Sequence, residues 1–146
     1  MKKWLLVLLL CFFALPAQAK ISSQLLNAVD HIYNANFAQA NAIIGGHISS
    51  NPNDPAGYLL RGISTEWFQI VNNKGKSFNK KIMADYQKAR ILATDALEAD
   101  KNNLDKKVML GNSYIYVAKK LIDTSHNVQA GSALKKAKNL MEQELQ

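Results

Sequence analysis

The chain has 146 residues, of which 48% are hydrophobic and 20% are charged, and its formal net charge is +7. This composition excludes a disordered or collagen-like chain and provides enough apolar surface for one domain with a hydrophobic core. A single cysteine, Cys11, excludes a fold that depends on disulfide bonds.

The first segment, residues 1–19, is typical of a bacterial secretory signal peptide. Two lysines follow Met1, an apolar run occupies residues 4–15, and small residues stand at Ala17 and Ala19. We predict cleavage after Ala19 and export to the periplasm, because the run is too short for a transmembrane span of about 20 residues. An uncleaved membrane anchor is the alternative.

The mature chain, residues 20–146, would contain no cysteine and would carry a formal charge of +5, since Lys2 and Lys3 leave with the signal peptide. Its lysines are spread along every segment instead of forming one basic block. This distribution predicts solvated helix faces and no nucleic-acid partner.

Apolar residues recur every three or four positions from residue 21 onward, and glycine and proline are rare, so we predict an all-α fold. Ser22 or Ser23 is placed to cap the first helix, and the second helix should run from about Phe37 to Asn51. Asp54 followed by Pro55 indicates the start of the third helix.

Three more helices complete three antiparallel hairpins. We expect the fourth helix over about residues 78–99, the fifth over 104–122 and the sixth after a loop at 123–129. The strongly polar face of the sixth helix is typical of the solubilising end cap of a helical array.

Small residues recur in these helices at regular spacing, accompanied by aromatic and aliphatic ones. They are Phe37, Ala40 and Ile44 in the second helix, Ala89 and Ala93 in the fourth, and Leu110, Gly111 and Tyr114 in the fifth. Their order and spacing resemble the tetratricopeptide repeat. The resemblance implies a right-handed solenoid of about three hairpins, at about 21–54, 55–103 and 104–146, with the second and third elongated. A generic α-helical bundle is the alternative.

No residue pattern predicts catalysis, a metal site or a cofactor. His31, His47 and His126 lack the paired spacing of metal ligands, and we expect His47 to be a hydrogen-bonded core or interface residue. The Gly75-Lys76-Ser77 segment lacks the first glycine and the preceding strand of a phosphate-binding loop. We therefore predict a protein that is not an enzyme.

The resemblance also implies a binding surface, because the first helix of each repeat in this family lines a concave groove for peptides or partner helices. The residues carried over to that groove are Tyr33, Leu59, Ile63, Glu66, Trp67, Val108, Asn112, Ile115 and Tyr116, with Leu25, Val29 and Ile32 as their equivalents in the first helix.

An alternative remains open for the first helix, where the family's core positions, Gln24, Asn27 and His31, are polar. The apolar stripe of that helix can therefore itself be the core. Arg61 and Thr65 raise the same alternative in the second hairpin.

These features together predict a periplasmic scaffold or adaptor that binds an envelope protein or peptide through an apolar, aromatic-lined groove. One alternative is a structural protein that self-associates into a homo-oligomer through the same face. Another is a basic module that attaches weakly to anionic envelope or membrane surfaces, since Lys74, Lys76, Lys80 and Lys81 gather at one hairpin tip.

Overall fold

The computed structural model describes residues 22–142, which form six α-helices. They are α1 (Ser23–Tyr33), α2 (Phe37–Ser50), α3 (Pro55–Val71), α4 (Asn79–Ala99), α5 (Leu104–Asp123) and α6 (Asn127–Glu142). The predicted all-α fold is confirmed, and the predicted signal peptide lies outside the described residues. Among residues 22–142, no helix combines the length and apolarity needed to cross a membrane.

Side-chain caps begin the first helix of each predicted hairpin. Ser22 Oγ accepts a hydrogen bond from the Leu25 amide at 3.2 Å and begins α1, as one of the two predicted caps. The Asp54 carboxylate accepts from the Ala56 amide at 3.0 Å at the start of α3. Asn103 Oδ1 does the same for the first turn of α5. Each cap satisfies an amide that has no partner within its own helix.

Each helix packs against the next one along the chain, and α3 also contacts both α1 and α5. The helices α1, α3 and α5 are therefore neighbours in that order, with α2, α4 and α6 packed against them. One core cluster, which includes Leu25, Ala40 and Ile44, joins α1, α2 and α3. A second cluster around Tyr86 joins α3, α4 and α5.

The burial pattern of α1 resolves the alternative that the sequence leaves open there. Leu25, Ala28 and Ile32 are buried in the first core cluster, whereas Gln24 and Asn27 are exposed. The apolar stripe of α1 is therefore core at these positions, and Leu25 and Ile32 do not face a groove.

His47 is buried between α2 and the start of α3, as predicted. Its Nε2 lies 2.6 Å from Asp54 Oδ2, while Asp54 Oδ1 accepts the hydrogen bond that caps α3. The histidine thus fixes the orientation of the carboxylate that begins the next helix.

Gly62 of α3 lets the Tyr86 side chain of α4 pack directly against the α3 backbone. A Cβ atom at this position would lie 2.5 Å from Cε1 and 2.7 Å from Cδ1 of Tyr86, whose side chain is fully buried. The tyrosine ring occupies the space that any larger side chain at position 62 would need.

Replacing Gly62 with alanine should lower the free energy of unfolding by about 1–3 kcal/mol, because the buried ring cannot move aside without loss of contacts. Gly46 in α2 is a matched control, since a Cβ there would meet no atom within 4 Å. Gly46→Ala should instead raise stability by about 0.5–1 kcal/mol. Urea unfolding followed by circular dichroism measures both, and equal effects of the two substitutions would contradict this account.

Candidate functional site

The carboxylate of Glu66 joins three helices at the centre of the molecule. Glu66 belongs to α3 and is only 4% exposed. Its Oε2 accepts hydrogen bonds from the Tyr86 hydroxyl of α4 at 2.9 Å and from Lys119 Nζ of α5 at 2.6 Å. Its Oε1 lies 2.6 Å from Lys120 Nζ. We call these residues, with Asp123, the Glu66 cluster.

Lys120 is the most buried cation of the cluster, with 2% of its surface exposed. Its ammonium also donates to Asp123 Oδ2 at 2.9 Å, so it has two carboxylate partners. Lys120 is thus an exception to the expectation that most lysines lie on solvated helix faces. Ser113, Val117 and Lys120 follow helical spacing on the buried side of α5, a pattern from which this burial could have been read.

Burial and hydrogen bonding act on the cluster in opposite directions. Burial raises the pKa of Glu66, but hydrogen bonds from Lys119, Lys120 and Tyr86 outweigh this effect, and the net pKa lies below its ordinary value of 4.5.

The same two effects act on Lys120 with opposite signs. Burial lowers the pKa of its ammonium, but hydrogen bonds to Glu66 and Asp123 raise it by more than burial lowers it. The net pKa of Lys120 is therefore raised. Burial, and then the charge of Glu66, raises the pKa of the Tyr86 hydroxyl, which therefore remains a donor. At neutral pH the cluster holds two cations and two carboxylates.

This arrangement favours a structural role for the cluster, because every charge is held by an opposite one. Among residues 22–142, no group of three histidine, cysteine or acidic side chains is placed to hold a metal ion. A second buried carboxylate, Asp85 of α4, binds Arg61 of α3 through Oδ1 at 2.6 Å. The Arg61 side chain thus binds α4, whereas the Thr65 hydroxyl donates a hydrogen bond to the Arg61 carbonyl within α3.

The structure separates the predicted groove residues into buried and exposed groups. Leu59 lies in the second core cluster and Glu66 lies in the Glu66 cluster, so neither offers its side chain to a partner. Tyr116 is half-buried, and its ring lies 5.3 Å from that of Tyr86 at an angle of 46°. Ile63 and Asn112 are also half-buried.

The other predicted groove residues are exposed. Trp67 of α3 is 48% exposed and Tyr33 at the end of α1 is 81% exposed. Val108 and Ile115 of α5 are exposed as well. In α3, Ile63, Trp67 and Ile70 follow helical spacing on one face, and Val108, Asn112 and Ile115 do so in α5.

These residues form what we call the apolar face. In α1 it comprises Leu26, Val29 and Tyr33, in α3 Ile63, Trp67 and Ile70, and in α5 Val108, Asn112 and Ile115. Because α2 and α4 pack against α3, its exposed stripe lies on the side away from them, between its neighbours α1 and α5. Sequence reasoning did not assign Leu26 and Ile70 to a surface, although both extend the same helical spacing.

Comparison with family models, with curated proteins and with solved structures finds no match for this chain. Its function must therefore be inferred from the chemistry of its own surface.

Replacing Glu66 with glutamine should lower the free energy of unfolding by about 3 kcal/mol near pH 7, because the buried ammonium of Lys120 loses one of its two carboxylates. The pKa of Glu66 is lowered in the folded protein, so its stabilising contribution is fully present above about pH 4.5. That contribution is lost as the pH falls further, through the folded-state pKa. The wild-type and Glu66→Gln stabilities should therefore converge below pH 4.5, which urea titrations at several pH values measure.

Lys138→Gln is the control for this comparison, since it breaks an exposed ion pair with Glu142. Exposed pairs contribute about 0–1 kcal/mol, so this variant should unfold close to wild type at every pH. A difference between wild type and Glu66→Gln that stays constant from pH 7 to pH 3 would contradict the charged state assigned to Glu66.

Proposed function

We propose that this protein is a non-catalytic periplasmic scaffold or adaptor that binds an envelope protein or peptide on its apolar face. The observation that carries the proposal is Trp67, a half-exposed tryptophan on the middle helix of three neighbouring apolar stripes. Large aromatic side chains of this kind dominate the binding energy of protein interfaces. An exposed cluster of apolar side chains is typical of an interaction surface.

The proposed architecture is a right-handed, tetratricopeptide-like solenoid of three hairpins. Three observations support it: the contacts of α3 with α1 and α5, the side-chain cap on the first helix of each hairpin, and the close approach at Gly62. Gly111 is the corresponding small residue in α5, where a Cβ would lie 2.9 Å from Cε of Met141 in α6. In such an array, α1, α3 and α5 would line the concave side.

Binding on this face would be pre-organised. The Glu66 cluster fixes α3 against α4 and α5, and Trp67 follows Glu66 directly in the chain. The anchor residue therefore stands on a rigid helix, which limits the entropy lost on binding. Three hairpins offer only a modest area, and interfaces below about 1,200 Å² belong mostly to weak, transient complexes.

The periplasmic location rests on residues 1–19, which have the charged start, apolar run and small residues of a cleaved signal. Surrounding lysines would steer an acidic partner toward the apolar face. The same face could instead close a homo-oligomer, and the experiment below separates these two uses.

A Trp67→Ala variant should bind at least tenfold more weakly to a peptide selected on the wild-type protein from a displayed random library. Ile91→Ala is the matched control, because Ile91 of α4 is 46% exposed but lies outside the apolar face. Fluorescence anisotropy of the labelled peptide gives both dissociation constants, and circular dichroism shows whether helicity is kept.

Unchanged affinity of the Trp67→Ala variant, or loss of its helicity, would contradict the proposed role of this side chain. Light scattering over a concentration series tests the self-associating alternative. A wild-type dimer that Trp67→Ala converts to a monomer would assign the apolar face to self-association.

A further inference from the structure

The three hairpin loops lie at the same end of the molecule. They are residues 34–36 between α1 and α2, 72–78 between α3 and α4, and 124–126 between α5 and α6. Ala35 and Asn36 line the same cleft, of about 430 Å³, as Val71 and Asn72. Lys119 and Lys120 bind Glu66, so the last turn of α5 lies beside the last turns of α3. We call this the tip end.

The most exposed large apolar side chains of the described residues gather at the tip end. Those that are more than half exposed there are Tyr33, Ile70, Val71, Ile122 and Val128, and Leu26 is the other described residue with such exposure. They come from all three hairpins and stand beside the loops that join the helices. Burial of this much apolar surface against a partner would be favourable.

Unpaired lysines surround the second of these loops. Lys74, Lys76, Lys80 and Lys81 are all exposed, and residues 72–84 contain no aspartate or glutamate. None of the four forms an ion pair with a described residue. The segment 72–84 of the tip end therefore carries four positive charges and no acidic residue of its own.

The acidic residues nearest to the loops do little to neutralise this charge. Asp123 is bound to Lys120, which leaves Asp30 in the last turn of α1 as the other carboxylate within one turn of the three loops. The opposite end differs in composition, since its loops at 51–54 and 100–103 are polar and contain two aspartates, Asp54 and Asp100, against one lysine, Lys101. The molecule is thus polarised along its helix axes.

We propose that the tip end attaches the protein to the surface of an anionic lipid bilayer. Lysine ammonium groups bind lipid phosphates, and clusters of four or more basic residues beside apolar ones are typical of membrane-surface attachment. Tyr33, Ile70 and Val128 would enter the interfacial layer from three separate hairpins. A bilayer surface can receive all three at once, whereas a single acidic segment would have to contact three separate hairpins.

Attachment at this end is compatible with the proposed function. The apolar face shares Tyr33 and Ile70 with the tip end and runs from there along α1, α3 and α5 to Leu26 and Val108, which lie near the other end of their helices. A membrane-attached molecule would present Trp67 and Ile115 to a partner beside the bilayer. The inference does not depend on that partner, because its observations concern the loops and their lysines.

Vesicle flotation with the full chain tests the proposal. The probes are vesicles of phosphatidylglycerol mixed with phosphatidylcholine and vesicles of phosphatidylcholine alone, each at low and high salt. Replacing Lys74, Lys76, Lys80 and Lys81 together with glutamine should weaken binding to the anionic vesicles more than tenfold. The matched control replaces Lys101, Lys135, Lys136 and Lys138 with glutamine, which removes the same charge elsewhere, and should weaken binding less than threefold.

A second pair of variants tests the apolar contribution. Replacing Ile70 and Val71 with serine should weaken binding at both salt concentrations, because burial of apolar side chains is not screened by ions. The control is the Ile91→Ser and Leu104→Ser pair, two exposed apolar side chains outside both the tip end and the apolar face. Circular dichroism of every variant verifies that the helices are kept.

Several results would overturn the proposal. Equal binding of the two lysine variants, or equal binding to the two vesicle types, would assign attachment to another segment of the chain. Unchanged binding of the Ile70 and Val71 variant would exclude insertion of the apolar tips. Binding of wild type to polyglutamate without binding to anionic vesicles would make the tip end a site for acidic polypeptides.

Loss of peptide binding by Trp67→Ala with vesicle binding intact would show that the two surfaces act separately.

Discussion

The buried carboxylate of Glu66 is the interaction on which the rest of the structure depends. It accepts hydrogen bonds from α4 and α5 while belonging to α3, so one side chain specifies how three helices meet. A buried ion cluster of this kind contributes little net stability compared with an apolar core of the same shape. Instead, it makes the arrangement of the helices specific, because any other placement of α5 would leave Lys120 with Asp123 of its own helix as its one carboxylate partner.

Both proposed surfaces follow from that constraint. The cluster holds the end of α5 level with the end of α3, and this brings Ile122 and Val128 to the same end as Ile70. It also fixes the helix that carries Trp67, since the exposed tryptophan directly follows the buried Glu66 in α3. A single internal network thus positions an apolar face along the helices and a basic, apolar tip at their ends.

Local physics explains which features the sequence could predict. Helix bounds follow from caps and periodicity, as at Ser22 and Asp54, and the burial of His47 is expected from its position in the repeat resemblance. Pairing between distant helices leaves no such signal. The repeat resemblance predicts Glu66 to be a groove residue, and helical spacing alone places Lys120 on the buried side of α5. That the two charges compensate each other becomes visible only once α3 and α5 are adjacent. The repeat resemblance also predicts Leu59 to be a groove residue from its position, although it lies in the second core cluster.

Hydrogen exchange measured by mass spectrometry on wild type and Glu66→Gln tests most directly whether the cluster holds α5 against α3. Elements of a helical array open separately when the contacts between them weaken. Amide exchange in α5 and α6 should therefore rise by more than tenfold in the variant, while exchange in α1 and α2 changes far less. Unchanged exchange in α5, or an increase confined to α1 and α2, would contradict the central role of Glu66.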